Sequence, residues 1–282
     1  MSAIVLSFAA ALAWGVVDFG AGLKARQVPV FAVLGGMLVM GSLGAGVAIL
    51  ALQSPALEPG TAWLGLAAGV ATAIGLTSFY RGLAIGPMSV VAPISAGGVI
   101  VPVVVGIARG DEPSTAQVLG IVLAIAGMLV VVALSADPED EGGSGGSRLA
   151  AVAFGVLGAL GLGVFFVAAE DVGSNQAPWF LLVGQASAGL ILAGIIAARG
   201  VPLPSRSDRV HIAALGVLSF AAWTFSTAAV QAGDLSLTAT ISSLYPIVTV
   251  LLAVGIAGET LRTIQTLALV ATFTGVALIV AG

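Results

Sequence analysis

The feature that most constrains this chain is a series of ten continuous apolar runs, at about 3–22, 29–52, 62–81, 88–108, 115–136, 149–169, 178–198, 211–232, 236–257 and 263–281. A helix needs roughly 20 apolar residues to cross the hydrocarbon core of a bilayer. The runs are unbroken, whereas a membrane β-strand shows roughly 10 residues of strict alternation. Turn chemistry separates them: Gly86-Pro87, Asp111-Glu112-Pro113, Ala177-Pro178 and Gly233-Asp234. The expected fold class is therefore all-α integral membrane, with ten transmembrane helices.

Composition agrees. Hydrophobic residues make up 59% of the 282 and charged residues 8%, against about 25% charged in an ordinary soluble domain. Such a chain cannot cover a water-facing surface, so its main partner is the lipid bilayer. Once the spans are placed, no room remains for a soluble catalytic domain. Cysteine is absent, which excludes thiol catalysis, disulfides and cysteine metal sites. There is no H-E-x-x-H and no G-x-x-x-x-G-K-[ST], and histidine occurs once, at His211. The letters Gly142-Gly-Ser-Gly-Gly146 match a hydrolase elbow but lack its strand, turn and partner histidine. An enzyme is not expected, nor a cofactor, nor a nucleic-acid partner. No Lys or Arg precedes Lys24, so the first run lacks a signal peptide's charged start and is expected to stay in the cell (inner) membrane.

The chain also repeats itself. Gly86-Pro-Met-Ser-Val-Val-Ala-Pro-Ile-Ser95 aligns with Gly233-Asp-Leu-Ser-Leu-Thr-Ala-Thr-Ile-Ser242 at an offset of 147. The same offset pairs Gly69/Gly216, Thr77/Thr224, Val101/Val248 and Glu112/Glu259, and an offset of 148 pairs Gly15/Gly163, Gln117/Gln265 and Gly127/Gly275. The expected organisation is a first five-helix repeat over 1–136, an acidic Gly/Ser linker over 137–148, and a second repeat over 149–282. Five is odd, so the second repeat enters from the opposite face, giving two inverted repeats. That is the architecture of alternating-access carriers, which bind substrate between the halves near the midplane. Eight of the nine basic residues (Lys24, Arg26, Arg81, Arg148, Arg199, Arg206, Arg209, Arg262) fall in loops of one face, and only Arg109 in the other. The positive-inside rule puts the eight in the cytoplasm and both termini outside.

At these residues a family resemblance enters. Ala13-Trp14-Gly15, the run Gly86…Pro93…Pro102…Asp111-Glu112…Gln117…Gly120…Gly127, and its echo Gly233…Tyr245-Pro246…Gly258-Glu259…Gln265…Gly275 resemble the duplicated EamA domain. That domain defines the ten-helix branch of the drug/metabolite transporter superfamily. The resemblance spans the whole chain. It implies a permease or exporter of amino acids, other small metabolites or drugs, without a cofactor. It also implies a cavity lined largely by spans 1, 3, 4, 6, 8 and 9. The chain departs in reading Gly110-Asp-Glu112 where Gly-Glu is usual. It also lacks basic charge after span 2, where many relatives carry it and keep both termini cytoplasmic.

The expected function is secondary transport of a small-molecule substrate, such as an amino acid, by alternating access, as a monomer or homodimer. Efflux of small molecules, cations or drugs by proton exchange is the alternative, and a non-transporting scaffold or a channel the reading from another class. The expected cavity lining is Trp14, Asp18, Tyr80, Ser95, Trp223, Thr224, Ser242 and Tyr245. Asp18 is the only acidic residue well inside a run, and an intramembrane carboxylate costs about 2.5–3.5 kcal/mol on insertion scales, so it faces a cavity or a partner. Its other reading is an interfacial anchor on Lys24 or Arg26. Trp14, Trp223 and Tyr245 fall mid-run, where a ring's polar atom needs a partner. Trp63 and Trp179 begin spans and read as interfacial belt residues. Ser95, Ser242, Ser243, Thr224, Gln185 and Gln231 either tie helices together or contact substrate. Tyr80 sits near a span end. Glu112 and Glu259 read as carboxylates starting spans 5 and 10, favoured there by the helix dipole. Glu170 and Asp171 read as the water-facing end of span 6, and His211 as solvated.

Overall fold

The structure is a computed structural model that describes residues 3–109, 114–135, 145–232, 244–261 and 263–281. Among them there is no strand. The helices are α1 (Ala3–Ala25), α2 (Val30–Ala51), α3 (Pro59–Ile85), α4 (Met88–Ala96), α5 (Ile100–Arg109), α6 (Thr115–Ser135), α7 (Gly145–Glu170), α8 (Ala177–Arg199), α9 (Arg206–Ala232), α10 (Tyr245–Gly255) and α11 (Thr263–Ala281). Six of them are long and apolar enough, among the described residues, to cross a membrane: α1, α2, α3, α7, α8 and α9. Their outer faces are apolar. Leu50 is 79% exposed, Leu190 74% and Val217 53%, a surface that only lipid satisfies.

Local chemistry places the helix starts. Ser114 and Gln117 form a reciprocal capping box at α6: the Ser114 N–H donates to Gln117 Oε1 (2.8 Å) and the Gln117 N–H to Ser114 Oγ (3.2 Å). Ser205 caps α9 by accepting from the Asp208 N–H (3.1 Å) while donating to Asp208 Oδ2 (2.7 Å). This cap starts α9 five residues before the expected 211, leaving His211 exposed in its second turn.

Two expectations are corrected. Span 4 is not one run: it breaks at the 3₁₀ turn Gly97–Val99. Pro93 removes a hydrogen bond inside α4, and the Gly97-Gly98 pair lets the backbone tighten. A Cβ on Gly98 would lie 2.6 Å from the Ala159 carbonyl oxygen, so the broken backbone lies directly on α7. Gly145–Arg148 belong to α7, because extending a long helix adds one hydrogen bond per residue fixed. Residues 136–144 lie outside the described residues. Finally, Glu259 does not start a helix, since α11 begins at Thr263.

The halves pack as an exchange pair. Helix α1 packs on α9 as α7 packs on α3; α2 meets α9 as α8 meets α3; α1 meets α10 as α7 meets α4; and α2·α8, α4·α10 and α6·α11 pair like with like. Contacts that swap partners in this way are those a twofold axis generates. Loop contacts show that the axis inverts one half. Lys24, in the last turn of α1, pairs with Asp208 in the first turn of α9. The α7–α8 loop instead meets the α2–α3 loop, through Gln176 to Ala56 and Trp179 to Pro55. The first turn of each half is thus on opposite faces.

Glycine makes these crossings close. A Cβ on Gly15 would sit 2.9 Å from the Tyr245 carbonyl oxygen, and one on its repeat partner Gly163 2.6 Å from that of Gly98. Without a hydrophobic drive between helices in lipid, such close approach supplies the packing energy. Gly15→Val is expected to lower stability by about 1–3 kcal/mol through overpacking. Gly46→Ala, where nothing lies within 4 Å, is expected to be neutral. Thermal melts of the two variants in detergent check this, and equal melting points would contradict it.

Candidate functional site

Asp18 lies on α1, seven residues before the helix ends, and is 4% exposed. At 1.5 Å per residue this puts it about 10 Å inside the helix end. The Tyr80 hydroxyl donates to Asp18 Oδ1 at 2.8 Å, and Tyr80 itself is 1% exposed. Tyr80 reaches this depth because α3 runs on past the expected end at 81 to Ile85. Tyr245, the first residue of α10, lies beside Asp18 and Ser95. Ser95, buried, also donates to the Ala92 carbonyl at 2.7 Å. The first half contributes Asp18, Tyr80 and Ser95, and the second contributes Tyr245.

One turn up α1 from Asp18, an aromatic wall begins. Trp14 Nε1 donates to Ser226 Oγ (3.3 Å), and Ser226 Oγ donates to the Ala222 carbonyl (2.9 Å). The Trp14 and Trp223 rings meet edge to face, 5.1 Å apart at 89°. Trp223 in turn lies 4.6 Å from Phe165, which lies 5.4 Å from Phe180. Edge-to-face geometry sets the positive rim of one ring against the negative face of the other. The Thr249 hydroxyl bonds the Gly15 carbonyl at 3.3 Å, fixing α10 against α1 beside both clusters.

The anchor reading of Asp18 is overturned. Lys24 is held by Asp208 at 2.9 Å and Arg26 by Glu259 at 3.3 Å. Among the described residues Asp18 has no basic partner, and Tyr80 is its hydrogen-bond donor. A carboxylate has about four acceptor sites, and an ionised one in a dry setting is costly unless paired. A carboxylate so placed has the chemistry to hold a proton or a cation.

Other expected residues fall elsewhere. Thr224 does not join the site. It lies on the exposed stripe of α9 with Val210 and Val217, and its hydroxyl bonds the Phe220 carbonyl at 2.9 Å. Ser242 and Ser243 lie outside the described residues, as do Glu112 and the Gln231 side chain. Trp63 is 73% exposed, as a belt residue would be. Gln185 is buried between α8 and α2 against Gly41, away from the site, with its Nε2 unpartnered. Glu259 Oε1 and Oε2 accept from the Met88 and Ser89 N–H groups at 2.8 and 2.9 Å. It therefore caps α4, a helix of the other half, and not its own. The sequence reading missed Ser226, Phe165 and Thr249. Ser226 had one available signal, its position one turn from Trp223 on the same helix face.

The model of the EamA-like transporter family matches residues 1–133 and again 149–281. The chain belongs to the EamA-like transporter family. It is therefore a multi-pass membrane protein of the drug/metabolite transporter type, built from two EamA repeats. A solved structure, titled only as the crystal structure of a protein, shares the fold with a TM-score of 0.65 at 19% identity. The alignment covers 98% of this chain and 97% of that one. Comparison with curated proteins gave no match.

Within this EamA protein, the two clusters sit where the repeats disagree. At the repeat offsets of 148 and 147, Trp14 corresponds to Leu162, Asp18 to Phe166, Tyr80 to Thr227, Trp223 to Leu76 and Tyr245 to Gly98. The residues that build the fold repeat, and those that line the clusters do not. The exception is Ser95, whose counterpart is Ser242.

Proposed function

We propose that this protein is a secondary carrier in the cell membrane that exports small ammonium-bearing metabolites, amino acids among them, by alternating access. The observation that carries the reading is Asp18: a buried carboxylate between the two halves, with a tyrosine donor, no basic partner among the described residues, and an aromatic wall one turn away. A carboxylate supplies the charge for an ammonium group. Aromatic faces add roughly 0.5–2 kcal/mol for a cation and shield it from water. The same carboxylate binds a proton when empty, so proton and substrate compete for one group, which is the chemistry of exchange. Energy then comes from a gradient, and no residue in the site is asked to break a bond.

Inverted halves support the mechanism, because tilting one against the other opens the same site to alternate faces. The broken α4–α5 helix lies beside the site, where interrupted backbone in a membrane is tolerated against protein or a cavity. The experiment that tests the reading is exchange of labelled amines and amino acids in vesicles carrying the purified protein.

A further inference from the structure

Among the described residues, Lys24–Asp208 and Arg26–Glu259 are ion pairs between the halves, and both lie on one face of the molecule. Lys24 of the first half holds Asp208 of the second at 2.9 Å, with side chains 15% and 24% exposed. Arg26 holds Glu259 at 3.3 Å and also donates to the carbonyls of Leu83 (3.1 Å) and Gly86 (3.0 Å). Glu259 in turn receives the Met88 and Ser89 N–H groups. Three parts of the first half (the end of α1, the α3–α4 corner and the start of α4) are thereby clamped to the second. Directly beneath is a dry layer: Ala21, Leu83 and Met88 are each 0% exposed, and a Cβ on Gly22 would lie 3.0 Å from Met88 Cε. Asp18 lies behind that layer, one turn further along α1.

The opposite face is fastened differently. There Gln176 and Trp179 bond backbone groups of residues 55–58. The sequence repeats only part of this arrangement, since Glu259 has its counterpart in Glu112. At the 148 offset Lys24 and Arg26 correspond to Val172 and Ser174, and at the 147 offset Asp208 corresponds to Thr61.

We propose that Lys24–Asp208 and Arg26–Glu259 form a salt-sensitive lock that closes the basic face, and that both pairs break each time the site opens to that face. The proposal rests on the carrier reading and adds a device to it. Partly exposed ion pairs are weak singly and screened by salt. A lock built from them holds firmly enough to bias the closed state and loosely enough to open in every cycle. Access from the basic face therefore depends on ionic strength.

The chain has no cysteine, so single reporters are unambiguous. Ser89→Cys sits at the lock itself, its N–H held by Glu259 and its side chain 3% exposed, and Ser7→Cys sits near the other end of α1 at 0%. Both replacements are nearly isosteric. Each is labelled with a membrane-impermeant maleimide in sealed vesicles of either orientation. Glu259→Gln or Asp208→Asn is expected to speed labelling at Ser89→Cys about fivefold, the factor that corresponds to losing about 1 kcal/mol of lock. Labelling at Ser7→Cys should fall or stay level. A mutation-free arm raises salt from about 0.01 M to about 1 M, which shortens the Debye length from about 30 Å to about 3 Å. Salt alone should then reproduce the rise at Ser89→Cys. Unchanged labelling at Ser89→Cys in both arms overturns the lock. Equal rises at both reporters overturn it too, since that is general loosening. Labelling needs no substrate, so these outcomes are separate from flux in the same vesicles, which judges the carrier reading itself.

Discussion

Replacing Asp18 with Asn is expected to abolish the pH dependence of transport and to cut substrate affinity at least thirtyfold. The argument is electrostatic. Asparagine keeps the shape and can still accept from the Tyr80 hydroxyl, which lies 2.8 Å from the carboxylate in the native chain. It cannot carry charge. Truncating one partner of a buried charge pair costs about 2–5 kcal/mol, and about 2 kcal/mol is already close to thirtyfold in affinity. The pH effect has a definite sign. In the native protein a proton on Asp18 removes the charge that holds the ammonium group, so apparent affinity falls as pH is lowered through the titration of this carboxyl. In Asp18→Asn nothing titrates there, and the profile is flat. Initial rates across a pH series, normalised to folded protein, check this. A native-like pH profile in Asp18→Asn would remove the acid from the mechanism and leave it a structural residue.

The second large effect falls on the aromatic wall. Trp14→Ala, Trp223→Ala and Tyr245→Ala are each expected to raise KM about tenfold or more. Trp14→Ala loses the edge-to-face pair with Trp223 and the bond to Ser226. Such a ring pair is worth about 0.5–1.5 kcal/mol beyond its buried area, and a desolvated cation–π contact adds up to about 2 kcal/mol. Trp63→Ala is the control, since Trp63 is 73% exposed at the start of α3. It should move its solute at the native rate. If Trp63→Ala loses as much transport as the three inner variants at equal folded yield, the wall has no special part in binding.

How far the sequence disclosed all this depended on the range of the interaction. Span positions were legible because roughly 20 apolar residues have few other uses. Pairs such as Gly15/Gly163 were legible because close crossings tolerate no side chain, so the repeat keeps them. Asp18 stood out as a charge inside a run. Its surroundings did not. Tyr80 looked peripheral because Arg81 seemed to end the run, whereas Gly86-Pro87 is the true stop and Leu83, Ala84 and Ile85 add a further turn. The break at Gly97–Val99 was hidden inside an unbroken apolar stretch. Glu259 was read by its neighbours in sequence, yet its partners are Arg26, Met88 and Ser89, which sequence distance places far away. Repeat symmetry was no guide to the clusters, since apart from Ser95 they use positions where an acid or aromatic in one half meets a different residue in the other.

The central claim is that a site between the halves is shuttled between two faces, and counterflow tests it most directly. Vesicles containing the purified protein are loaded with an unlabelled amine or amino acid, and uptake of the labelled form is followed with no other driving force. A carrier whose loaded site crosses faster than its empty one takes up label faster when the same solute waits inside, and it accumulates label transiently above equilibrium. The account predicts that overshoot for at least one ammonium-bearing solute, lost in Asp18→Asn. Uptake indifferent to the internal solute would indicate a pore, and uptake equal to that of protein-free vesicles across the panel would indicate no transport of this class. Either result would contradict the account.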